Sequence, residues 1–302
     1  MRKAVAALML MAWPSTLAAG TVVLKRAWVV KYKDRATIDA DMLVDDAHPH
    51  PNTPKKDSDL HFAGRAKQVG LPMVAEIMNA VQASQKDAVD LIHARQGTNT
   101  AVDVKGAWRL WFEHPPATAQ KQSFVLPQGK PGTNPAHVFE IHPVTRVGTK
   151  AVGESLFPIK DYVTKEAADS FNRFKKLKAT VTTTASAITI QSPMIGFNYV
   201  EFDLRARGVD KPLSDGGRVV LADALDDSGD PVAESVRMIF LPSTKPAAHI
   251  AADPLGDGDE LHVLGIPRVN LNGLYTFAYS AENDGKPRQL PYEIVVVAIY
   301  PE

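Results

Sequence analysis

VDVKGAWRLWFEH (102–114) and, beyond a loop rich in Pro, Gln, Gly and Asn, HVFEIHPVTRV (137–147) decide the fold. In the first stretch Trp108, Leu110 and Phe112 share one parity, and in the second Phe139 and Ile141 share another. Arg109, Trp111, Glu113, Glu140 and His142 alternate with them. A period of two is the repeat of a strand with one face in a core. Upstream, Leu60 and Phe62 stand against Asp59, His61 and Arg65, and LPMVAEIMN (71–79) reads as a further strand with Glu76 inside it. Between that strand and residue 102 a helix is expected. Ser84 with Asp87 makes a capping-box-like start, Ala88, Val89, Ile92 and Ala94 form an apolar side, and Gly97 suits the stop. Strands, one short helix and two closing strands are the element order of an OB-fold barrel. Residues 45–59 read as an exposed loop held extended by its prolines.

Downstream, a connector helix is expected from a Thr164 cap to about Lys178, with Val163, Ala167, Phe171, Phe174 and Leu177 on one face. The remainder is read as almost pure β: TVTTTASAITIQ, NYVEFDLRA, GRVVLADAL, SVRMIFLP, DELHVLGIPRV, YTFAY and YEIVVVAIY, punctuated by Asp-Gly turns. The strand count fits a β-barrel or a β-sandwich. Gly256-Asp257-Gly258-Asp259, just before an alternating strand, resembles the turn before the fourth strand of single-strand-binding barrels and favours the barrel. No strict repeat joins the two halves.

The chain opens MRKAVAALMLMAWPSTLAAG. Arg2 and Lys3, a short apolar core, Pro14 and small residues near Ala18 and Ala19 follow the order of a cleavable signal peptide. The core is shorter than the roughly 20 residues that span a bilayer, and no later segment is apolar for long enough. The expected divisions are a signal peptide (1–19), an OB-like barrel (20–150), a connector helix region (151–178) and a β-rich C-terminal domain (179–302). The expected compartment is outside the cytoplasm, periplasmic or extracellular. There is no Cys, which excludes a lipoprotein anchor and leaves stability to packing and β-ladders. Lys plus Arg and Asp plus Glu are both 34, so no global basic field announces nucleic acid.

DSDLHFAGR, VAEI, VKGAWRLWFEH and FEIHPVTRV, in that order, resemble a loose group of exported bacterial proteins. Those proteins carry an Asp-x-Asp-x-His strand, an Ala-Glu-Ile strand and a closing Glu-(Ile or Leu)-His-Pro-Val strand. Here these are Asp57, Asp59 and His61; Ala75, Glu76 and Ile77; and Glu140 to Val144. The resemblance covers residues 57–147, agrees with the barrel reading and brings no catalytic residues with it.

Parity puts Asp59, His61, Arg65, Glu76, Arg109, Trp111, Glu113, Glu140 and His142 outside the barrel core. Carboxylates with histidines suit a hard or borderline divalent metal, the one cofactor the sequence suggests. His48-Pro49-His50-Pro51 reads as loop rather than a metal clip. Nucleophile-elbow, zincin, phosphate-loop and dinucleotide motifs are absent. The first expectation is therefore a non-enzymatic binding or scaffold protein. Arg65, Arg109, Trp111, Glu113 and Glu140 would hold an extended polymer or a protein on the barrel face, the partner being nucleic acid, a glycan or an envelope protein. The rival expectation is a metal-assisted phosphodiesterase or nuclease working through Asp59, His61, Glu76, Arg109 and His142. A purely structural envelope protein, with Trp111 buried, is the third.

Overall fold

The computed structural model describes residues 19–196 and 198–301, so all but Ala19 of the expected signal peptide (1–19) lies outside the described residues. In chain order the elements are β1 (Ala19–Lys25), α1 (Arg26–Tyr32), β2 (Thr37–Ala47), β3 (Leu60–Arg65), β4 (Pro72–Ile77), α2 (Lys86–Arg95), β5 (Val102–His114), β6 (Gln120–Lys121), β7 (His137–Val147) and β8 (Lys150–Ala151). There follow α3 (Ala167–Lys176), β9 (Lys178–Thr183), β10 (Ala187–Pro193), β11 (Val200–Pro212), β12 (Arg218–Leu225), β13 (Pro231–Phe240), α4 (Lys245–Ala252), β14 (Asp257–Val269), α5 (Leu271–Ala278), β15 (Arg288–Gln289) and β16 (Tyr292–Ile299). Among the described residues no helix is long and apolar enough to cross a membrane.

Both halves close into five-stranded barrels of one topology. In the first, β2, β3 and β4 form an antiparallel meander, β4 pairs in parallel with β7, and β5 joins β7 back to β2. In the second, β11, β12 and β13 repeat the meander, β13 pairs in parallel with β16, and β14 joins β16 back to β11. Each places a helix, α2 or α4, between its third and fourth strands. These are two OB-type barrels, so the second half is a barrel and not a sandwich.

The correspondence reaches single residues. Trp108, Arg109 and Leu110 of β5 face Ile141, Glu140 and Phe139 of β7. Pro267, Arg268 and Val269 of β14 face Ile294, Glu293 and Tyr292 of β16. Gly106 and Gly265 sit three residues before the arginines. A Cβ on either would lie 2.6 or 2.3 Å from Cγ2 of Ile141 or Ile294, the isoleucine after the paired glutamate. Glycine lets the two closing strands approach where the ladder shifts register.

The barrels pack on each other through these fourth strands, and the contacts are reciprocal. Arg109 Nε donates to the Pro267 carbonyl at 3.1 Å, while Arg268 donates to the Trp108 carbonyl at 2.9 Å and the Ala36 carbonyl at 2.8 Å. Tyr199, just before β11, donates to Asp59 in the loop before β3. Thr37, at the start of β2, donates to Asp215 in the loop before β12. Contact of residue i with j answered by j with i is the pattern of an isologous interface. Ala36, Ala107, Val219, Ile239, Leu264, Ile266 and Val295 fill the apolar part of the seam.

Several elements differ from the sequence reading. TVTTTASAITIQ is not one strand but the hairpin β9–β10. It forms a separate sheet in the order β15-β9-β10-β1-β6, which ties the N-terminal strand to the second half. YTFAY lies in α5. Leu271, Leu274 and Ala278 are the buried positions at helical spacing, and the Asn270 side chain caps the start by accepting from Gly273 N. Ser84 falls inside a 3-10 turn and caps nothing, and Ala94 is exposed. The connector helix starts at Ala167, so Val163 precedes it and is 88% exposed. Ala167, Phe171, Phe174 and Leu177 are buried as expected, with Phe171 edge-on to Phe202 of β11. The loop taken as residues 45–59 begins after β2 ends at Ala47 and finishes buried at Ser58 and Asp59.

Candidate functional site at the barrel junction

The residues expected outside the first core do point away from it, but most of them do not meet solvent; His61, Arg65 and Glu113 are half-buried. Asp59, Glu76, Arg109, Trp111, Glu140 and His142 are all buried. The second barrel covers Arg109, and α3 covers Trp111, whose ring meets Phe174 edge-on at 5.6 Å. Arg65 is held by Asp45 Oδ1 at 3.0 Å and by the Pro127 carbonyl at 3.3 Å, from the loop that folds over this side. Of the set expected to hold an extended polymer, Arg109 and Trp111 are therefore covered by the protein itself, Glu140 is buried, and Arg65 and Glu113 are half-buried. Parity gives the direction of a side chain, not what lies beyond it.

What the seam encloses is a dense polar cluster. His61 lies opposite Glu76 across the β3–β4 ladder, and β7 runs beside β4 in parallel, which carries His142 to Glu76. His142 Nδ1 is 3.3 Å from Glu76 Oε2 and 3.6 Å from Glu140 Oε2. His61 Nε2 is 3.4 Å from the same Glu76 oxygen. On the other side of the ring, His142 Nε2 lies 2.9 Å from the Tyr199 hydroxyl, which donates to Asp59 Oδ2 at 2.5 Å. Asp59 Oδ1 accepts from Asn79 N. Glu140 is shared by Arg109 and by His137, whose other ring nitrogen faces the Pro135 carbonyl at 2.7 Å. Arg109 also reaches Glu113 at 2.9 Å.

Burial pushes the Asp59 and Glu76 carboxyls up. Burial likewise opposes charge on His142, but Glu76, Asp59 and Glu140 more than offset it and lift the imidazole to about 10. For Glu140 burial is outweighed by Arg109 and the two histidines, which hold it well below the carboxylate range. Burial and the adjacent Asp59 carboxylate push the Tyr199 hydroxyl well up, so it stays a donor. The cluster is thus built to surround positive charge.

A pocket of about 340 Å³ opens onto it. Its floor carries His61, Glu76, Glu140 and Tyr199, and its exposed rim carries His114, Val163 and Lys165. Asp59, Glu76 and His142 offer three donor atoms within 4.8 Å of one another, a group that could hold a metal ion. The sequence-expected set of Asp59, His61, Glu76 and His142 is brought together, and Arg109 reaches it through Glu140. Tyr199 and His137 were missed. Tyr199 comes from the second half of the chain, and His137 looks like the unremarkable first residue of a strand. His48 stacks on His61 at 5.4 Å, while His50 stays exposed.

No family model and no curated protein matches the chain. Among solved structures 14 chains match. The wild-type single-stranded DNA binding protein from Thermus aquaticus is 10% identical, with 88% of this chain and 91% of that one covered at a TM-score of 0.22. A deletion mutant of the same protein gives the same identity and TM-score over 93% of its length. A replication protein A heterotrimer bound to ssDNA is 13% identical over 78% of this chain and 45% of that chain, at a TM-score of 0.21. Likeness of this depth says nothing about what the chain does.

Proposed function

We propose that this chain is an exported binding protein whose recognition site is the pocket at the barrel junction. It takes one residue-sized or sugar-sized group of a partner rather than the length of a polymer. One observation carries the reading. Register equates Ile141 with Ile294, and hence His61, Glu76 and His142 of the first barrel with Val219, Ile239 and Val295 of the second. At the same fold positions and in the same seam, one barrel buries an ionisable set and the other buries aliphatic side chains. The fold does not need the charges, and replacing a buried ionic set by apolar residues is often neutral or stabilising. A costly set retained beside a pocket is the mark of a working site.

The test copies the second barrel into the first: His61→Val, Glu76→Ile and His142→Val, with Asp59→Asn so that no charge is stranded. In chelator-treated protein the variant is expected to match wild-type stability or exceed it by about 1–4 kcal/mol in urea unfolding. A loss of several kcal/mol would make the cluster structural and sink the reading. Labelled single-stranded DNA, with and without Mg²⁺ and Ca²⁺, is the first partner probe. A salt-sensitive rise in anisotropy, lost in the variant, identifies nucleic acid as the partner. No change leaves glycans and envelope proteins.

The Asp59, Glu76 and His142 grouping also favours a second reading, metal-assisted phosphodiester hydrolysis at the same pocket. A metal-dependent fall in anisotropy with time would give that reading the lead.

A further inference from the structure

Tyr199 has one hydroxyl proton, and it goes to Asp59 Oδ2 at 2.5 Å. Its oxygen lies 2.9 Å from His142 Nε2 and can only accept there, so Nε2 carries a proton. That fixes the ring and leaves Nδ1 aimed at Glu76 Oε2, 3.3 Å away. Neither atom has a hydrogen-bond partner, although both are buried. Positive charge must lie between them, a proton on Nδ1 or a metal ion in its place. Two donors each about 2.0–2.1 Å from a tetrahedral zinc lie roughly 3.3–3.4 Å apart, which is the separation of Nδ1 and Oε2. His61 Nε2, on the pocket side, stands at the matching 3.4 Å from the same oxygen.

We infer that Glu76 Oε2 and His142 Nδ1, with Asp59 as third protein donor, hold a divalent first-row metal ion of the zinc class. The fourth position faces the pocket beside His61. Mixed imidazole and carboxylate donors suit such an ion better than an oxygen-only magnesium site. The Tyr199 hydroxyl against Nε2 is the outer support that metal-binding histidines use. The second barrel, with Val219, Ile239 and Val295 in these places, has no counterpart. The inference rests on the reading that the polar set is functional, and the ion would be the contact point for whatever enters the pocket.

The experiment titrates the chelator-stripped mature protein with Co²⁺, followed by visible absorption, and then adds Zn²⁺. One Co²⁺ per chain, with visible bands bleached by Zn²⁺, is expected. Glu76→Gln, checked by circular dichroism for a native fold, should weaken Co²⁺ at least tenfold. Glu201→Gln, at the exposed His262 group of the second barrel, should leave it unchanged. Absence of bands, or bands indifferent to Glu76→Gln, overturns the metal site. So does equal loss in Glu201→Gln. A chain that binds no metal but gains stability in the aliphatic copy would lose this inference and keep the pocket reading.

Discussion

At the scale of the residue, charge placement in the cluster makes one histidine's protonation part of the fold. His137 is buried, with Glu140 Oε1 at 2.9 Å from one nitrogen and the Pro135 carbonyl at 2.7 Å from the other. Two acceptors require two N–H donors, hence the imidazolium. Burial opposes that charge, but the Glu140 carboxylate and the backbone acceptor outweigh it and raise the group above its ordinary value. A raised folded pKa adds stability that is full below the unfolded value of about 6.5 and is lost as pH rises through the folded one. His137→Gln is therefore expected to cost roughly 1.5–3 kcal/mol near pH 6 and distinctly less near pH 9, by urea midpoints. An equal gap at both pH values would show that His137 is neutral. None of this was legible in the sequence, because His137 and Glu140 are three apart on one strand, where regular alternation puts them on opposite faces. Asp59, His61, Glu76 and His142 could be named in advance because parity and motif marked them. Their burial could not, since it depends on Pro267, Arg268 and Tyr199 from the other half of the chain.

At the scale of the element, the two closing hairpins depend on one glycine each. A Cβ on Gly106 would sit 2.3 Å from the Pro143 carbonyl oxygen as well as 2.6 Å from Ile141, whereas one on Gly265 would meet chiefly the Ile294 side chain. Backbone cannot move aside as a side chain can. Gly106→Ala should therefore cost more than Gly265→Ala, about 3 kcal/mol against about 1, measured by thermal or urea unfolding. The reverse order would mean that the β5 bulge is soft. Long strands such as 102–114, 137–147 and 292–299 were readable as strands because β-branched and aromatic residues run through them, although both of their faces are largely buried. YTFAY failed because three aromatics mimic alternation while Leu271, Leu274 and Ala278 carry the buried face. TVTTTASAITIQ failed because its turn, at Thr184 to Ser186, lacks a Gly or Pro signal. The repeat between barrels left two short traces, Gly-x-x-Arg at 106–109 and 265–268 and an aromatic-Glu-Ile at 139–141 and 292–294. They are 31 and 25 residues apart from arginine to glutamate, so no fixed period exposes them.

At the scale of the whole molecule, the seam decides whether two barrels behave as one body. Arg268 is fully enclosed, paired with Glu293 at 2.8 Å, bonded to carbonyls of Ala36 and Trp108, and stacked 3.6 Å over the Trp108 ring. Desolvation of that guanidinium is tolerable only because its donors are used across the seam. Removing it leaves Glu293 with Arg237 as its one cation and takes a donor from the Ala36 and Trp108 carbonyls, and Arg268→Ala is expected to cost about 3–5 kcal/mol. The location of the tryptophans makes the coupling measurable. Trp28, Trp108 and Trp111, the three in the described residues, all precede the connector, so their fluorescence follows the first barrel and its flank. Circular dichroism reads the strands of both barrels. If the seam makes one cooperative unit, Arg268→Ala lies in the second barrel yet lowers the fluorescence and dichroism midpoints together. If the fluorescence midpoint stays at its wild-type value while dichroism splits into two steps, the barrels unfold separately. A separable pair could open the seam and expose the polar cluster. A coupled pair keeps the cluster enclosed, with the junction pocket as its route of access.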